Sequence, residues 1–373
     1  MKFFLIAGEP SGDQHGAALI RAIRQLDPEA RFVFFGGGRM EEAAQAQAVV
    51  PISDLAFMGF TQLINKASRI RKNFSLCREA IRAFQPDIVV PVDYGGFNLR
   101  MIRWAKSQGF RVAYYIPPKT WAWMPGRSRR LARYAGRVLV TLPFEEPFFR
   151  RWGVNAVYVG NPVAEQLAYY QALDKEKMKQ ELGLAGSRVV ALLPGSRLQE
   201  LSGMLPMMAE MTNYFPHYQF VVAAHDRFSE EQVRKYSKNA HLTIIRGKTL
   251  ELLASADAAL VTSGTATLET ALLRTPQVVC YRTAPLSYLI ARVLVKVRYI
   301  SLVNLILDES CVVELIQGKL TATRIRQELG RLLDDQESRK ALLDGYERLV
   351  GMLGDTPASA VAARWVVDTA RGR

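Results

Sequence analysis

Short, mainly apolar runs recur along the chain, and stretches with helical spacing lie between them. In the first half the runs are KFFLIA, FVFFG, DIVVPV, RVAYYI and RVLVTL, with GAALIRAIRQL and LRMIRWAKSQ among the stretches between them. In the second half they are RVVALLP, YQFVVAA, LTIIR, AALVTS and PQVVCY, with QELSGMLPMMAEMTNYF and TLELLASA between. Strands apolar on both faces, alternating with helices, predict parallel sheets covered on both sides. The pattern predicts an α/β protein of two doubly wound, Rossmann-type domains, over residues 1–163 and 164–345, with the change near Gly160–Gln166. The last stretch, 346–373, reads as helix that packs back on the first domain or on a partner subunit.

Two stretches raise the question of a membrane segment. MKFFLIA is strand-sized, and Gly8, Glu9 and Pro10 end it at once, whereas a secretory leader needs an apolar core of about 7–15 residues and a small-residue cleavage site. SYLIARVLVKVRYISLVNLIL is broken by Arg292, Lys296 and Arg298, so no membrane span is expected.

Charge adds a partner class. Lysine and arginine number 49 against 35 acids, a formal net charge of +14, which predicts an acidic partner such as a nucleotide, a sugar phosphate or an anionic membrane surface. The cations run along the whole chain without any usual nucleic-acid signature, so no nucleic-acid partner is expected. Cys77, Cys280 and Cys311 make no disulfide or zinc pattern, and the four histidines form no HExxH motif, so neither a metal nor another cofactor is expected.

In parallel α/β sheets ligands bind at the carboxyl ends of the strands. AGEPSGDQHG follows the first strand, and Ser11, Gly12 and Asp13 offer N–H groups at a helix start; helix capping by Ser11 or Asp13 would use the same residues. DIVVPVDYGGFN ends a strand on Asp93, the position of a catalytic base, or of an Asx turn. IPPKTWAWMPGR puts Trp121 and Trp123 in a proline-stiffened loop suited to a sugar face or an acyl chain, or to plugging a gap between helices.

LLPGSRLQE offers Gly195 for close approach, Ser196 as a donor and Arg197 as a fork for phosphate. LVTSGTATLE crowds Ser263, Gly264, Thr265 and Thr267 at a helix start, with Glu269 one turn on, where its carboxylate could take two ribose hydroxyls. Segment 55–74 joins Phe57, Met58, Phe60, Leu63 and Ile64 to Lys66, Arg69, Arg71 and Lys72, which reads as a basic amphipathic surface for an anionic membrane, or as a core-facing helix with a solvated edge.

Taken together and in order, GEPSGDQHGA, GGRM, FMGF, VDYGGFN, YYIPPKTWAW, LPFE, GNP, LLPGSRLQE, SGTATLE, PQVVCYR and LVN resemble the lipid-A-disaccharide synthase family along nearly the whole chain. The resemblance implies a GT-B-like fold, with two facing Rossmann-type domains and C-terminal helices. It implies an inverting glycosyltransferase of lipopolysaccharide synthesis that joins UDP-2,3-diacylglucosamine to 2,3-diacylglucosamine 1-phosphate, giving the β-1,6 disaccharide 1-phosphate and UDP. The enzyme would be cytoplasmic and peripheral on the inner face of the cytoplasmic membrane, with a homodimer possible.

On this resemblance Asp93 takes the acceptor proton, and Ser196, Arg197, Gly264, Thr265 and Ala266 hold the departing UDP. Glu269 holds its ribose, Asn304 lies near the donor, and Ser11, Gly12, Asp13, Asn98 and Trp121 bind substrate on the other side. The chain departs from the family at Gly95, where proline is more common, at Pro117, usually serine, and at Asn161, usually histidine. A UDP-sugar epimerase of similar fold and a non-enzymatic basic protein that binds membranes or anions are the alternatives.

Overall fold

The computed structural model describes residues 1–55, 66–171, 173–184, 186–237, 240–285, 288–289, 292, 295 and 297–373. The apolar half of the segment 55–74 therefore lies outside the described residues. The chain divides into two compact units, Met1–Pro162 with Asp355–Arg373, and Val163–Gly354.

The first unit is a parallel sheet of seven strands, β1 (Lys2–Ile6), β2 (Arg31–Gly36), β3 (Val50–Pro51), β4 (Ile88–Pro91), β5 (Arg111–Tyr115), β6 (Arg137–Val140) and β7 (Ala156–Tyr158). They lie in the order β3-β2-β1-β4-β5-β6-β7. Successive side chains point to opposite faces of a strand, and β1 splits accordingly. Phe3 and Leu5 join a core with Leu19, Ile20 and Ile23 of the helix Pro10–Leu26. Phe4 and Ile6 join the opposite core, with Cys77 and Ile81 of Lys66–Phe84 and Met101 and Ile102 of Gly95–Ser107. Both faces are covered, which is why β1 and β4 contain no polar residue at a buried position.

The second unit repeats the plan with β8 (Val189–Leu193), β9 (Gln219–Ala224), β10 (Thr243–Arg246), β11 (Ala258–Thr262), β12 (Gln277–Tyr281) and β13 (Val313–Ile316), in the order β10-β9-β8-β11-β12-β13. In each sheet the chain winds outward from one central strand, β1 or β8, then returns to start the other half beside it. The loops after β1 and β4, and after β8 and β11, therefore flank the point where winding reverses, the place where open α/β sheets bind ligands.

The final helix, Ala358–Arg371, belongs to the first unit. Ala362, Ala363, Val366, Val367 and Ala370 pack into the same core as β1 and β4, Arg111 donates to the Ala370 carbonyl, and the Arg137 guanidinium lies 4.2 Å from the Trp365 ring centre. The break falls later than the expected 345 because Gln336–Leu353 stays with the second unit. There the buried Tyr346 hydroxyl donates to the Thr275 carbonyl (3.3 Å) and accepts from Gln277 Nε2 (3.2 Å). Among the described residues no helix is long and apolar enough to cross a membrane.

Ala363 is fully buried against the first sheet. Ala363→Asp would place an unpaired charge there and should cost about 3 kcal/mol or more. Hydrogen exchange should show the loss of protection confined to Met1–Pro162 and Asp355–Arg373, with Val163–Gly354 unchanged.

Candidate active site

In the first unit the loops after β1 and β4 meet. Asp93 and Tyr94 follow β4 with consecutive left-handed backbones, φ 52° each, a conformation that is costly for residues other than glycine. The Asp93 carbonyl accepts from Asn98 Nδ2 (2.8 Å) and from the Tyr114 hydroxyl (2.8 Å), and its N–H donates to the Tyr115 carbonyl (3.1 Å). Burial, and then the nearby Asp93 charge, push the Tyr114 phenol well above its ordinary pKa, so it remains a donor. With its backbone held on three sides, Asp93 presents a half-buried carboxylate whose Oδ2 accepts from Ser11 Oγ at 3.3 Å.

The turn also fixes the glycine in the first loop. The Tyr94 ring lies over Gly8, where a Cβ would come within 2.4 Å of it. The next strand end is strained too, because Ile116, β-branched, has φ 57° directly after β5. Strain of this kind concentrates at functional sites, where the surrounding structure holds it. Beyond it, Trp121 Nε1 donates to Glu145 Oε1 (2.8 Å), while Glu145 Oε2 accepts from the N–H groups of Thr141 (3.2 Å) and Leu142 (3.1 Å). The indole is thereby oriented from behind with its ring half-exposed. Of the departures, Gly95 lets Pro118 approach closely, since a Cβ there would meet the Pro118 Cβ at 2.7 Å, and Asn161 donates to the Thr141 carbonyl (2.9 Å).

In the second unit the turn after β8 carries Gly195 at φ 100°, followed by Ser196 and Arg197, both exposed. The N–H groups of Ser196 (2.9 Å) and Arg197 (3.1 Å) donate to Glu200 Oε2, and Arg197 Nη1 donates to Oε1 (3.0 Å). An internal carboxylate thus occupies an anion niche. The loop after β11 opens the helix Thr265–Leu272, and the N–H groups of Thr265 and Ala266 have no partner among the described residues. One turn on, the Glu269 carboxylate likewise has no partner among them, and burial raises its pKa above the ordinary 4.5. A partly buried acceptor without a donor, beside free first-turn N–H groups, suits a ligand that brings hydroxyls and negative charge.

Three residues expected to contact substrate have side chains that make hydrogen bonds within their own unit. Asp13, 6% exposed, turns away from its own loop and accepts from the N–H groups of Gly37 (2.8 Å), Arg39 (3.2 Å) and Met40 (3.1 Å), capping the helix Gly38–Ala44. Asn98 is fully buried, and its Nδ2 ties Ile6 (3.1 Å) to Asp93 (2.8 Å) through their carbonyls, while its Oδ1 has no partner among the described residues. Asn304 accepts from the N–H groups of Cys311 and Val312 and donates to the Val312 carbonyl and to Glu314 Oε1, all at 2.9 Å, which leaves its side chain no capacity for a ligand. Sequence reasoning missed Tyr114, Glu145, Glu200 and Glu314. Only Glu200 carried a local signal, its place three residues after the helix cap. Among the described residues no group of three or more metal-ligating side chains occurs.

Two doubly wound units with their polar loops at the points of reversal define the GT-B-like class of α/β enzymes. In fold the chain is similar to the UDP-GlcNAc 2-epimerase of Neisseria meningitidis bound to UDP-GlcNAc, with a TM-score of 0.66 at 14% identity over 100% of both chains. It is also similar to the glycotransferase of kitacinnamycin, with a TM-score of 0.64 at 14% identity over 99% of this chain and 98% of that one. At such identities the likeness speaks for the fold alone.

Sequence comparison goes further. The family model described as lipid-A-disaccharide synthetase matches residues 3–355. The lipid-A-disaccharide synthase of Myxococcus xanthus is 36% identical over 98% of this chain and 97% of its own, and that of Syntrophus aciditrophicus 37% identical over 96% and 95%. The chain belongs to the lipid-A-disaccharide synthase family. It is a glycosyltransferase of lipid A biosynthesis, acting with a nucleotide-sugar donor and a sugar-phosphate acceptor.

Two outcomes follow. Asp13→Ala removes the acceptor of three backbone donors and should lower the unfolding free energy by about 2–3 kcal/mol in urea titration. For Glu269, an acid with a raised folded-state pKa, the stabilising contribution is full below the ordinary value and is lost as pH rises through the folded one. Glu269→Gln should therefore match the unsubstituted protein near pH 4 and become the more stable of the two by pH 8, as read from denaturation at both pH values.

Proposed function

We propose that the enzyme joins UDP-2,3-diacylglucosamine to 2,3-diacylglucosamine 1-phosphate with inversion, releasing UDP and a β-1,6-linked disaccharide 1-phosphate. The observation that carries this reading is the rigid presentation of Asp93. A carboxylate on a strand end, with its backbone held by Asn98 and Tyr114, suits a base that must meet one hydroxyl in one direction.

In the step proposed, the acceptor 6-oxygen bonds to the donor anomeric carbon as the bond from that carbon to the UDP oxygen breaks. UDP leaves with the electron pair, and the 6-hydroxyl proton passes to Asp93. An aspartate is a weak base for an alcohol, so the proton moves late and positioning supplies much of the rate.

UDP is assigned to the second unit. The free first-turn N–H groups of Thr265 and Ala266 meet phosphate oxygens, Arg197 adds a fork, and Glu269 accepts the ribose hydroxyls. Glu200, now on the N–H groups of Ser196 and Arg197, would yield them to the incoming diphosphate. Trp121, its indole braced by Glu145, offers a ring face to a sugar, and Ser11 and Gly12 border Asp93 on the acceptor side. The enzyme is assigned to the inner face of the cytoplasmic membrane, as a peripheral protein, because both sugars carry acyl chains. The basic residues Arg69, Arg71 and Lys72, all exposed, lend this support.

Asp93→Asn should leave UDP affinity within about twofold while kcat falls by about 10²–10⁴-fold, as measured by calorimetry and by product formation. Full turnover by this variant would place the base elsewhere. Because ribose hydroxyls favour the ionised carboxylate, UDP affinity should rise with pH through the raised Glu269 value, and Glu269→Gln should flatten that rise and bind about tenfold or more weakly.

A further inference from the structure

A second cationic feature lies away from the strand ends, on the outer face of the first unit. The helices Lys66–Phe84, Gly95–Ser107 and Ser128–Tyr134 enclose an open cavity of about 670 Å³ lined by Arg78, Arg100, Arg103 and Arg130, with Trp104 and Tyr134. Among the described residues no carboxylate lines it. All four guanidinium groups are exposed, and none makes an ion pair among the described residues.

Two of these arginines, Arg78 and Arg100, rest on aromatic rings instead of acids. Arg78 and Arg82 lie 5.6 and 5.3 Å from the Trp104 ring centre, and Arg100 lies 5.9 Å from that of Phe74. Around the rim, Arg133 sits 5.7 Å from Tyr134 and Arg129 sits 5.3 Å from Trp152. Four like charges gathered in one cavity repel one another, and among the described residues no ion pair relieves them. Arginine's planar fork, weakly hydrated and ring-stacked, is well matched to phosphate oxygens.

We infer that this cavity seats the phosphate of an anionic phospholipid head group and holds the enzyme on the membrane surface. The inference rests on the peripheral-membrane reading above and gives it a place and a chemistry. Three features select a lipid surface over a free phosphate. The cavity is wide and open where a free-phosphate site would be closed. Its cations are interleaved with Trp104 and Tyr134, amphipathic rings of the kind that settle at a membrane interface. Further cations flank it on the same helix, at Arg69, Arg71 and Lys72. The site differs from the strand-end loops, so its loss should leave the chemistry intact.

The test uses the full chain and co-sedimentation with vesicles of phosphatidylcholine alone or with about one-third phosphatidylglycerol. Two variants of equal charge are compared: Arg100→Gln with Arg103→Gln in the cavity, and Arg21→Gln with Arg31→Gln, exposed elsewhere on the same unit. With about one kilocalorie per mole expected per cation at the surface, the cavity pair should bind phosphatidylglycerol vesicles roughly thirtyfold more weakly and the control pair less than threefold. Binding to phosphatidylcholine alone should be weak for all.

Equal losses in both pairs would reduce the feature to general charge and overturn the inference. So would an unchanged cavity pair, or micromolar binding of inorganic phosphate in calorimetry, which would assign the cavity to a soluble anion. Turnover with short-chain, vesicle-free substrates should be the same for the cavity pair and the unsubstituted enzyme. A loss there would move the cavity into the substrate site instead, whereas failure of the unsubstituted enzyme to form product would count against the proposed reaction and not against the cavity.

Discussion

The first unit depends on one strained turn. β4 stops at Pro91, and two residues later the backbone enters the left-handed region twice in succession. Such a turn persists only where its surroundings hold it. Here Asn98 and Tyr114 converge on the Asp93 carbonyl, and the Tyr94 ring lies over Gly8. The same contacts join the loop after β1 to the loop after β4 and leave the Asp93 side chain as the group they present. The sheet order makes this possible, because only strands that neighbour each other at the point of reversal can bring two such loops together.

The second unit is built differently. Its donors are arranged around anions, one already filled by Glu200 and one left open at Thr265 and Ala266. Glu269 is the reverse case, an acceptor without a donor, destabilised by its own burial. A site that holds an internal anion in one turn and an unpartnered carboxylate beside another gains most when a ligand brings both phosphate and hydroxyls. A ligand bound there would recover the stability given up at Glu269 in the free protein.

Most of the fold could be read from the sequence because the central strands are buried on both faces and leave long apolar runs. Three of the four edge strands could not. β3 has two residues, β7 has three, and β13 reads VELI, with Glu314 taken up by Ile300, Ser301 and Asn304. The loops were legible as places, since glycine and hydroxyl residues cluster at strand ends, but the work of each side chain was not. Asp13 and Asn304 look like ligand-binding residues in sequence and serve as caps and clamps, because their partners come from distant segments. Tyr114 looks like an ordinary strand residue, and only the pairing of β4 with β5 brings its hydroxyl to Asp93. The arginine cavity is likewise assembled from three helices that are separate in sequence.

The central claim is that this chain makes a glycosidic bond between two acylated sugars. Incubation of the purified enzyme with UDP-2,3-diacylglucosamine and 2,3-diacylglucosamine 1-phosphate, followed by mass spectrometry and by proton coupling at the new anomeric centre, tests it most directly. The expected result is one disaccharide 1-phosphate per UDP released, with a β linkage to the 6-oxygen. An α linkage, UDP release without a new sugar–sugar bond, or a donor altered only at its own ring carbons would contradict it.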